Sequence, residues 1–143
     1  MPYTTELTRD CLGAVHSGSG LVTGDDLLAA SIAVRRLVQN TENFQYEFVD
    51  FSDVTEMRIE PDDLDKIVEQ DRLAAQARPR AIVVIVAPQE FAYEVARQWE
   101  EKVKDLGWTT HIERERTEGV RWLVKHLKTE RPELLAEKRE SAV

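Results

Sequence analysis

Few residues that do chemistry in proteins are spaced here as a catalytic or metal site requires. The three histidines, His16, His111 and His126, are far apart, and no His-x-x-x-His or Cys-x-x-Cys spacing occurs, so we expect no metal and no cofactor. Cys11, the only cysteine, is expected to be a small buried hydrophobic residue, because no base is placed to activate it. Asp50 with His111 is the one acid–base pair the sequence offers. We therefore predict that the protein is not an enzyme.

A binding site is the stronger prediction, and we expect it where two strands end. Asp50 and Ser52 lie near the carboxyl end of the alternating segment 44–51, where open α/β sheets place ligands. The alternative is that both side chains only organise a turn through bonds to the backbone. Ala87 and Pro88 follow a second strand. If the two strands are neighbours, all four residues converge on one rim.

The three tryptophans have two interpretations. Trp99, Trp108 and Trp122 are either part of the core and its edge, as large aromatic side chains usually are, or two of them line an apolar pocket near the strand ends. Adjacent acids such as Asp62 and Asp63 do not share a helix face, so they indicate helix starts and solvated surface.

The overall composition excludes several classes of protein. A chain of 143 residues is long enough for one domain with its own core. The net charge of −8 and the pI near 4.9 argue against nucleic-acid binding, which needs a basic surface, and against an anionic membrane. No apolar stretch is long enough to cross a bilayer, and the first residues do not resemble a signal peptide. We expect a cytoplasmic protein without membrane insertion.

The stretch at 81–87 organises the predicted fold. Its seven apolar residues run without alternation, and five are β-branched, which predicts a strand buried on both faces of a largely parallel sheet. Segments 3–8 and 11–16 predict a leading antiparallel hairpin. Ser17-Gly18-Ser19-Gly20 predicts a flexible break after it.

Helix starts alternate with the remaining strands. Thr23 is a good N-cap, Pro61 and Pro88 suit first helical turns, and Thr117 is expected to cap a fourth helix. Segment 108–113 predicts a polar strand near the sheet edge. The prediction is an α/β fold: a mixed, mostly parallel sheet of about five strands, with four to five helices. Residues 1–127 form the domain, and 128–143 form a charged tail or a short helix around Leu134 and Leu135.

The order of these elements resembles the SpoIIAA-like group of STAS-type domains, named for anti-sigma-factor antagonists. Its sheet is also similar to that of CRAL-TRIO lipid-transfer domains. The similarity covers residues 12–127. The segments that carry it are Gly20-Leu21-Val22-Thr23-Gly24-Asp25-Asp26-Leu27, Phe48-Val49-Asp50-Phe51-Ser52-Asp53-Val54, Ile85-Val86-Ala87-Pro88, Trp99, Gly107-Trp108 and Thr117-Glu118-Gly119-Val120-Arg121-Trp122-Leu123.

The resemblance implies a STAS-like sheet with helices mainly on one side and a regulatory role without catalysis. Antagonists of this type carry an Asp-Ser-Ser-Gly-like segment after the Asp-containing strand, and a partner kinase phosphorylates its serine. The corresponding stretch here, Arg58-Ile59-Glu60-Pro61-Asp62-Asp63-Leu64, has no hydroxyl group and no glycine. The acids supply the negative charge that a helix N-terminus favours and would repel a phosphate. We therefore expect no working phosphoserine switch.

Two functions from different classes remain open. The first is a regulatory or scaffold domain that binds a protein partner, as a homodimer, through a patch of helix faces and without a deep pocket. The second is a binder of a small apolar or acyl ligand, which needs a cavity of roughly 300 Å³ lined by aromatic side chains.

Overall fold

The computed structural model describes residues 3–132. The short helix predicted around Leu134 and Leu135 lies outside these residues, and the domain boundary after residue 127 stays a prediction. In the described part, the elements are β1 (Tyr3–Leu7), β2 (Gly13–Thr23), α1 (Gly24–Asn40), β3 (Tyr46–Arg58), α2 (Pro61–Ala77), β4 (Ile82–Val86), α3 (Glu90–Val103), β5 (Thr109–Glu113) and α4 (Arg116–Glu130).

The strands form a single mixed sheet in the order β1-β2-β3-β4-β5. β1 is antiparallel to β2, and every other pair is parallel. The predicted mixed, mostly parallel sheet of five strands with a leading hairpin is confirmed, and β5 is an edge strand as expected. Among the described helices, none is long and apolar enough to cross a membrane.

β4 is buried on both faces because helices cover both sides of the sheet at this strand. Val83 and Ile85 pack into the larger core cluster with residues of α1, α2 and α3. Ile82, Val84 and Val86 pack on the opposite face against Leu123 and Leu127 of α4. The unbroken apolar run is therefore explained by a three-layer arrangement, with three helices on one face and one on the other.

The hairpin turn corrects the prediction for Cys11. The side chain is exposed, and the residue has a φ of 59° in the turn between β1 and β2. Asp10 organises this turn: its Oδ1 accepts hydrogen bonds from Thr8 Oγ1 at 2.5 Å and from the Leu12 N–H at 3.0 Å. The prediction of a buried Cys11 was wrong because the second strand begins only at Gly13.

The flexible break predicted at Ser17-Gly18-Ser19-Gly20 is also wrong. These residues lie inside β2, which pairs with β3 up to Thr23 opposite Arg58, with register shifts between Ser17 and Ser19 and after Gly20. The glycines mark irregularities in a strand, and Gly20 has a φ of 63°. Because β2 stays alongside it, β3 continues to Arg58, well beyond the predicted end at residue 51.

Two of the predicted helix starts agree with the structure, and two do not. Thr23 caps α1 in a capping box with Asp26, and Pro61 occupies the first turn of α2. Pro88, predicted for a first helical turn, lies outside α3, because Gln89 has extended backbone and is the N-cap of that helix. Thr117 was predicted as an N-cap. It lies inside α4, whose N-cap is Glu115.

Candidate functional site

Asp50 and Ser52 lie at the level where β4 ends, although β3 itself continues. Asp50 pairs with Val86, the last residue of β4. Asp50 Oδ1 accepts hydrogen bonds from the N–H and the Oγ of Ser52, at 2.9 and 2.5 Å. Its Oδ2 accepts one from Arg116 Nε at 3.0 Å. The Asp50 carboxylate thus forms a local motif within β3 and links that strand to the start of α4.

Ala87 and Pro88 continue from β4 toward this rim but differ in exposure. Ala87 is completely buried, and its N–H donates to the Glu113 carbonyl at 2.7 Å. Pro88 is exposed. Gln89 Nε2 donates to the carbonyl oxygens of Phe51 and Val54 at 2.8 and 2.7 Å, so the start of α3 is tied to the extended part of β3. The accessible part of the rim is therefore formed by Ser52 and Pro88.

The tryptophans occupy three separate places. Trp99 lies in the core between the sheet and α2. Trp108 Nε1 donates to the carbonyl of Arg78 at 2.9 Å, at the opposite ends of the strands from Asp50. Trp122 packs on the α4 face of the sheet. Of the three, Trp99 alone borders the cavity that lies between the sheet and the helices α1, α2 and α3.

Trp122 stacks with two imidazole rings. The ring centroid of His111 lies 4.3 Å away and that of His126 lies 4.9 Å away, both nearly parallel to the indole. His111 Nε2 lies 2.8 Å from Glu113 Oε1. Asp50 and His111 are two strands and two residues apart in register, roughly 11 Å between Cα atoms, and no hydrogen bond joins them. This pair is not arranged as an acid–base couple.

Negative charge is concentrated where β2 and β3 extend beyond β4. The segments 23–26 and 51–63, which run into the first turns of α1 and α2, carry seven acidic side chains and one arginine. The two helix starts lie side by side, since a Cβ added at Gly24 would fall 2.0 Å from Asp63 Oδ2. We call this region the acidic end. Its acidic residues are Asp25, Asp26, Asp53, Glu56, Glu60, Asp62 and Asp63.

A cavity of about 80 Å³ lies between the sheet and the helices α1, α2 and α3. Its walls are mostly apolar, and its less buried border includes Leu27, Ser31 and Val95. Titratable side chains from β1, β2, β3 and α2 also line it. These are Tyr3, His16, Glu47 and Asp71.

A buried hydrogen-bond network crosses the wall of this cavity. His16 Nε2 lies 3.0 Å from Glu47 Oε1, and His16 Nδ1 lies 3.0 Å from Thr5 Oγ1. On the helix side, Trp99 Nε1 donates to Asp71 Oδ2 at 2.8 Å. His16, Glu47 and Asp71 are 2%, 9% and 8% exposed, so two carboxyl groups share one poorly hydrated space.

This environment changes the acidity of two groups. Burial, and after it the charge of Glu47, raises the pKa of the Asp71 carboxyl to about 8, although the bond from Trp99 favours the ionised form. Burial, and then the carboxyl groups of Glu47, Asp71 and Asp26, hold the pKa of the Tyr3 hydroxyl well above its ordinary value. At neutral pH, Asp71 is therefore mainly a neutral carboxylic acid that has a proton to give.

Tyr3, Glu47 and Asp71 were not among the residues predicted from the sequence to form a site, and His16 was predicted only as an isolated histidine. A signal was present. Glu47 lies on the same face of β3 as Val49 and Phe51, and Asp71 lies on the apolar stripe of α2 with Ile67 and Ala74. Charged residues at core positions of both periodicities indicate a buried polar site.

The comparisons with known proteins identify a fold class. No family model matches the sequence, and no curated protein matches it. Among solved structures, the anti-sigma factor antagonist SpoIIAA in its unphosphorylated form aligns with a TM-score of 0.57 and 8% identity, covering 86% of this chain and 97% of that chain. A DUF3478-family protein with a SpoIIAA-like fold from Shewanella loihica aligns with a TM-score of 0.54 and 11% identity, covering 85% and 91%.

These findings confirm the resemblance on which the fold prediction rested. The chain has a SpoIIAA-like, STAS-type fold. At identities of 8% and 11% the likeness is one of fold. What this particular chain binds has to be argued from its own residues.

Proposed function

We propose that this protein is a non-catalytic, cytoplasmic regulatory or scaffold domain that binds a protein partner and works without a phosphoserine switch. The observation that carries the proposal is the start of α2. Glu60 and Asp63 form a capping box there, with the Glu60 N–H donating to Asp63 Oδ2 at 2.8 Å. In this chain, carboxylates occupy the helix end where the SpoIIAA-like group carries its switch serine.

A fixed negative charge at this helix end supports constant rather than switched binding. Backbone N–H groups at a helix start favour an anion, and the carboxylates of Glu60, Asp62 and Asp63 supply it permanently. An added phosphate would meet like charge from the rest of the acidic end. We infer that the acidic end remains negative in all states of the protein and that its partner presents a basic surface.

The proposed docking surface consists of the acidic end and the accessible rim beside it. Residues 50–58 of β3 connect the two, because they run from the rim to the start of α2. Ser52 and Pro88 are exposed and contribute to this surface, with Asp50 holding Ser52 in place. Ala87, Trp99 and Trp108 are buried, so they contribute to the docking surface only through their packing in the core.

Neutralising the acidic end should abolish partner binding without harming the fold. The test variant carries Asp53→Asn, Glu56→Gln and Asp62→Asn, three exposed positions that leave both capping boxes intact. Tagged protein is expressed in its native host and the co-purified proteins are quantified. We expect recovery of the partner to fall at least tenfold, and moderate salt to release the partner from the unchanged protein.

A matched control carries the same change in charge elsewhere. Glu42→Gln, Glu69→Gln and Glu130→Gln also replace three exposed acids and should leave recovery unchanged. Equal loss in both variants would assign the effect to net charge alone. Full recovery with the acidic-end variant, or no partner with the unchanged protein, would contradict the proposal.

We also propose that the protein is a homodimer, and that α4 contributes to the interface. Val120 and Val124 lie one turn apart on this helix and are 37% and 41% exposed. Val124→Lys should convert the dimer to a monomer in native mass spectrometry, whereas Thr129→Lys, at another exposed position of α4, should not. A protein that is monomeric throughout, or a dimer that Val124→Lys leaves intact, would overturn this.

The second candidate function, binding of a small ligand, is supported by the cavity between the sheet and α1–α3. At about 80 Å³ it is much smaller than the roughly 300 Å³ required for a drug-sized or acyl ligand, and its wall carries two buried carboxyl groups. The cavity therefore favours a small polar ligand over the apolar or acyl molecule expected from the resemblance to lipid-transfer domains.

A further inference from the structure

We propose that the cavity between the sheet and helices α1–α3 is a binding site for a small primary ammonium ion, with Tyr3, Glu47 and Asp71 as its hydrogen-bond acceptors. The proposal goes beyond partner binding, because it assigns a ligand class to a part of the molecule that the docking surface does not use.

The buried network leaves a set of hydrogen-bond acceptors unused. Glu47 uses Oε1 for His16, and Asp71 uses Oδ2 for Trp99. Their other oxygens, and the Tyr3 hydroxyl, take no hydrogen bond from the described residues. An ammonium group has three N–H donors and no acceptor, so it matches three free acceptors.

These free atoms border open space and are not sealed in protein. Among the described residues, the side-chain atoms that are both enclosed and without a partner are Arg78 Nε and Gln89 Oε1. Glu47 and Asp71 line the cavity, and neither contributes an atom to that set. Each unpaired oxygen therefore keeps some accessible surface, on a residue that lines the cavity.

The volume of the cavity fits a small ammonium ion. A dry cavity of 150 Å³ holds benzene with its six carbon atoms, which corresponds to about 25 Å³ for each non-hydrogen atom. A cavity of about 80 Å³ then holds about three such atoms, as in ethylammonium. Leu27, Ala30, Val95 and Ala96 provide apolar wall for the short alkyl part.

The charged side chains around the cavity favour a cation. Among the described lining residues, His16 is the sole basic one, and it is already bonded to Glu47 and Thr5. Besides His16, whose ring centroid lies 5.7 Å from that of Tyr3, the titratable groups that face Asp71 and Tyr3 are acidic: Glu47 from β3 and Asp26 from α1. Arg35 on α1 is engaged by Gln70 Oε1 at 2.7 Å, and α3 contributes the neutral indole of Trp99. With Asp71 ionised, two carboxylates line the cavity, and a bound cation offsets their charge.

A metal ion is a weaker candidate than an ammonium ion for the ligand of these carboxyl groups. In residues 3–132, no group of three or more His, Cys, Asp and Glu side chains could hold a metal ion. Hydrogen-bond acceptors on mostly apolar walls suit an organic ammonium ion better than a bare cation, which needs a full shell of oxygen ligands.

Binding should release a proton. At pH 7 the Asp71 carboxyl, with its pKa of about 8, is mostly neutral, and an ammonium ion stabilises its ionised form. The O–H bond of Asp71 then breaks, its proton leaves for solvent, and the carboxylate pairs with the ammonium ion. Affinity should therefore increase about tenfold between pH 7 and pH 9, where the ionised fraction increases from about 0.1 to about 0.9.

The test is an NMR titration of the full chain with ethylammonium chloride, with the Trp99 indole N–H resonance as the signal. For a ligand of about three non-hydrogen atoms, a dissociation constant on the order of 1 mM is the expected limit. Tetramethylammonium chloride at equal ionic strength controls for charge alone, because this ion has no N–H donor and also exceeds the cavity, and it should not shift the resonance. Butylammonium should bind more weakly because it exceeds the cavity.

Variants of the protein test whether ethylammonium binds at these acceptors or shifts the resonance by an adventitious effect. Asp71→Asn should weaken ethylammonium binding at least tenfold at pH 9 and remove the dependence on pH. Tyr3→Phe, which keeps the ring, should weaken binding about threefold or more, and the exposed control Glu42→Gln should leave it unchanged. No shift with ethylammonium, an equal shift with tetramethylammonium, or an unaltered dependence on pH in Asp71→Asn would overturn the proposal.

Discussion

Replacing Asp71 by asparagine is expected to stabilise the protein at pH 8, by on the order of 5 kcal/mol, although the change removes a buried, hydrogen-bonded carboxyl group. Asp71 is 8% exposed, and its pKa rises from 3.8 to about 8 on folding, so the folded state holds a proton that the unfolded state gives up. Between these two pKa values, each pH unit removes about 1.4 kcal/mol of stability. Asparagine has no proton to lose and can still accept the bond from Trp99.

The sign of this effect distinguishes it from ordinary acid denaturation. The contribution of Asp71 is fully present below pH 4 and is lost as the pH rises to about 8, the pKa of the folded state. Urea unfolding of the wild type and of Asp71→Asn from pH 5 to pH 9 should show the difference in free energy growing with pH. Glu69→Gln, an exposed change on the same helix, should show no such trend. A difference that does not depend on pH would mean that Asp71 is ionised in the folded protein.

Replacing Gly119 by leucine is expected to cost about 3 kcal/mol, because α4 approaches the sheet at this residue more closely than any larger side chain allows. A Cβ atom placed there would lie 2.9 Å from Val86 Cγ2 and 3.4 Å from Phe48 Cε2. Inserting a larger side chain forces the helix away from the sheet or strains both, which costs more than the gain in helix propensity. Urea unfolding measures the loss of stability, and the m-value should be unchanged.

The matched control for this prediction is Thr117→Leu. Thr117 lies two residues earlier in α4 and is exposed, so the same new side chain should change stability by less than about 0.5 kcal/mol. If Gly119→Leu is as stable as Thr117→Leu, α4 does not pack on the sheet at Val86. The conclusion that α4 covers the second face of the sheet would then be wrong.

The fold was predictable where local signals and tertiary packing agree. The apolar run at 81–87 has no face that tolerates water, and β4 is buried on both faces accordingly. Pro61 and Thr23 start helices as their backbone chemistry requires. Ser17-Gly18-Ser19-Gly20 misled the prediction because long-range pairing with β3 outweighs weak strand propensity and absorbs the glycines as register shifts.

The candidate cavity could not be predicted from sequence spacing, because its residues meet only through the sheet register and the packing of α2. Glu47 and His16 are 31 positions apart, and Trp99 and Asp71 are 28 positions apart. The strand alternation that placed Glu47 was visible, but which face would be buried depends on where α1, α2 and α3 pack. The rim at Asp50 was easier to predict, because the carboxyl ends of parallel strands lie at one edge.

Hydrogen exchange of the protein, free and bound to its captured partner, tests the proposed docking surface most directly. We predict that partner binding slows exchange in peptides covering 23–26 and 50–63, which form the acidic end and its link to the rim. Peptides at the opposite ends of the strands, around Trp108 and Arg78, should exchange equally in both states. Protection confined to that opposite end, or none at the start of α2, would contradict a regulatory domain that docks through its acidic end.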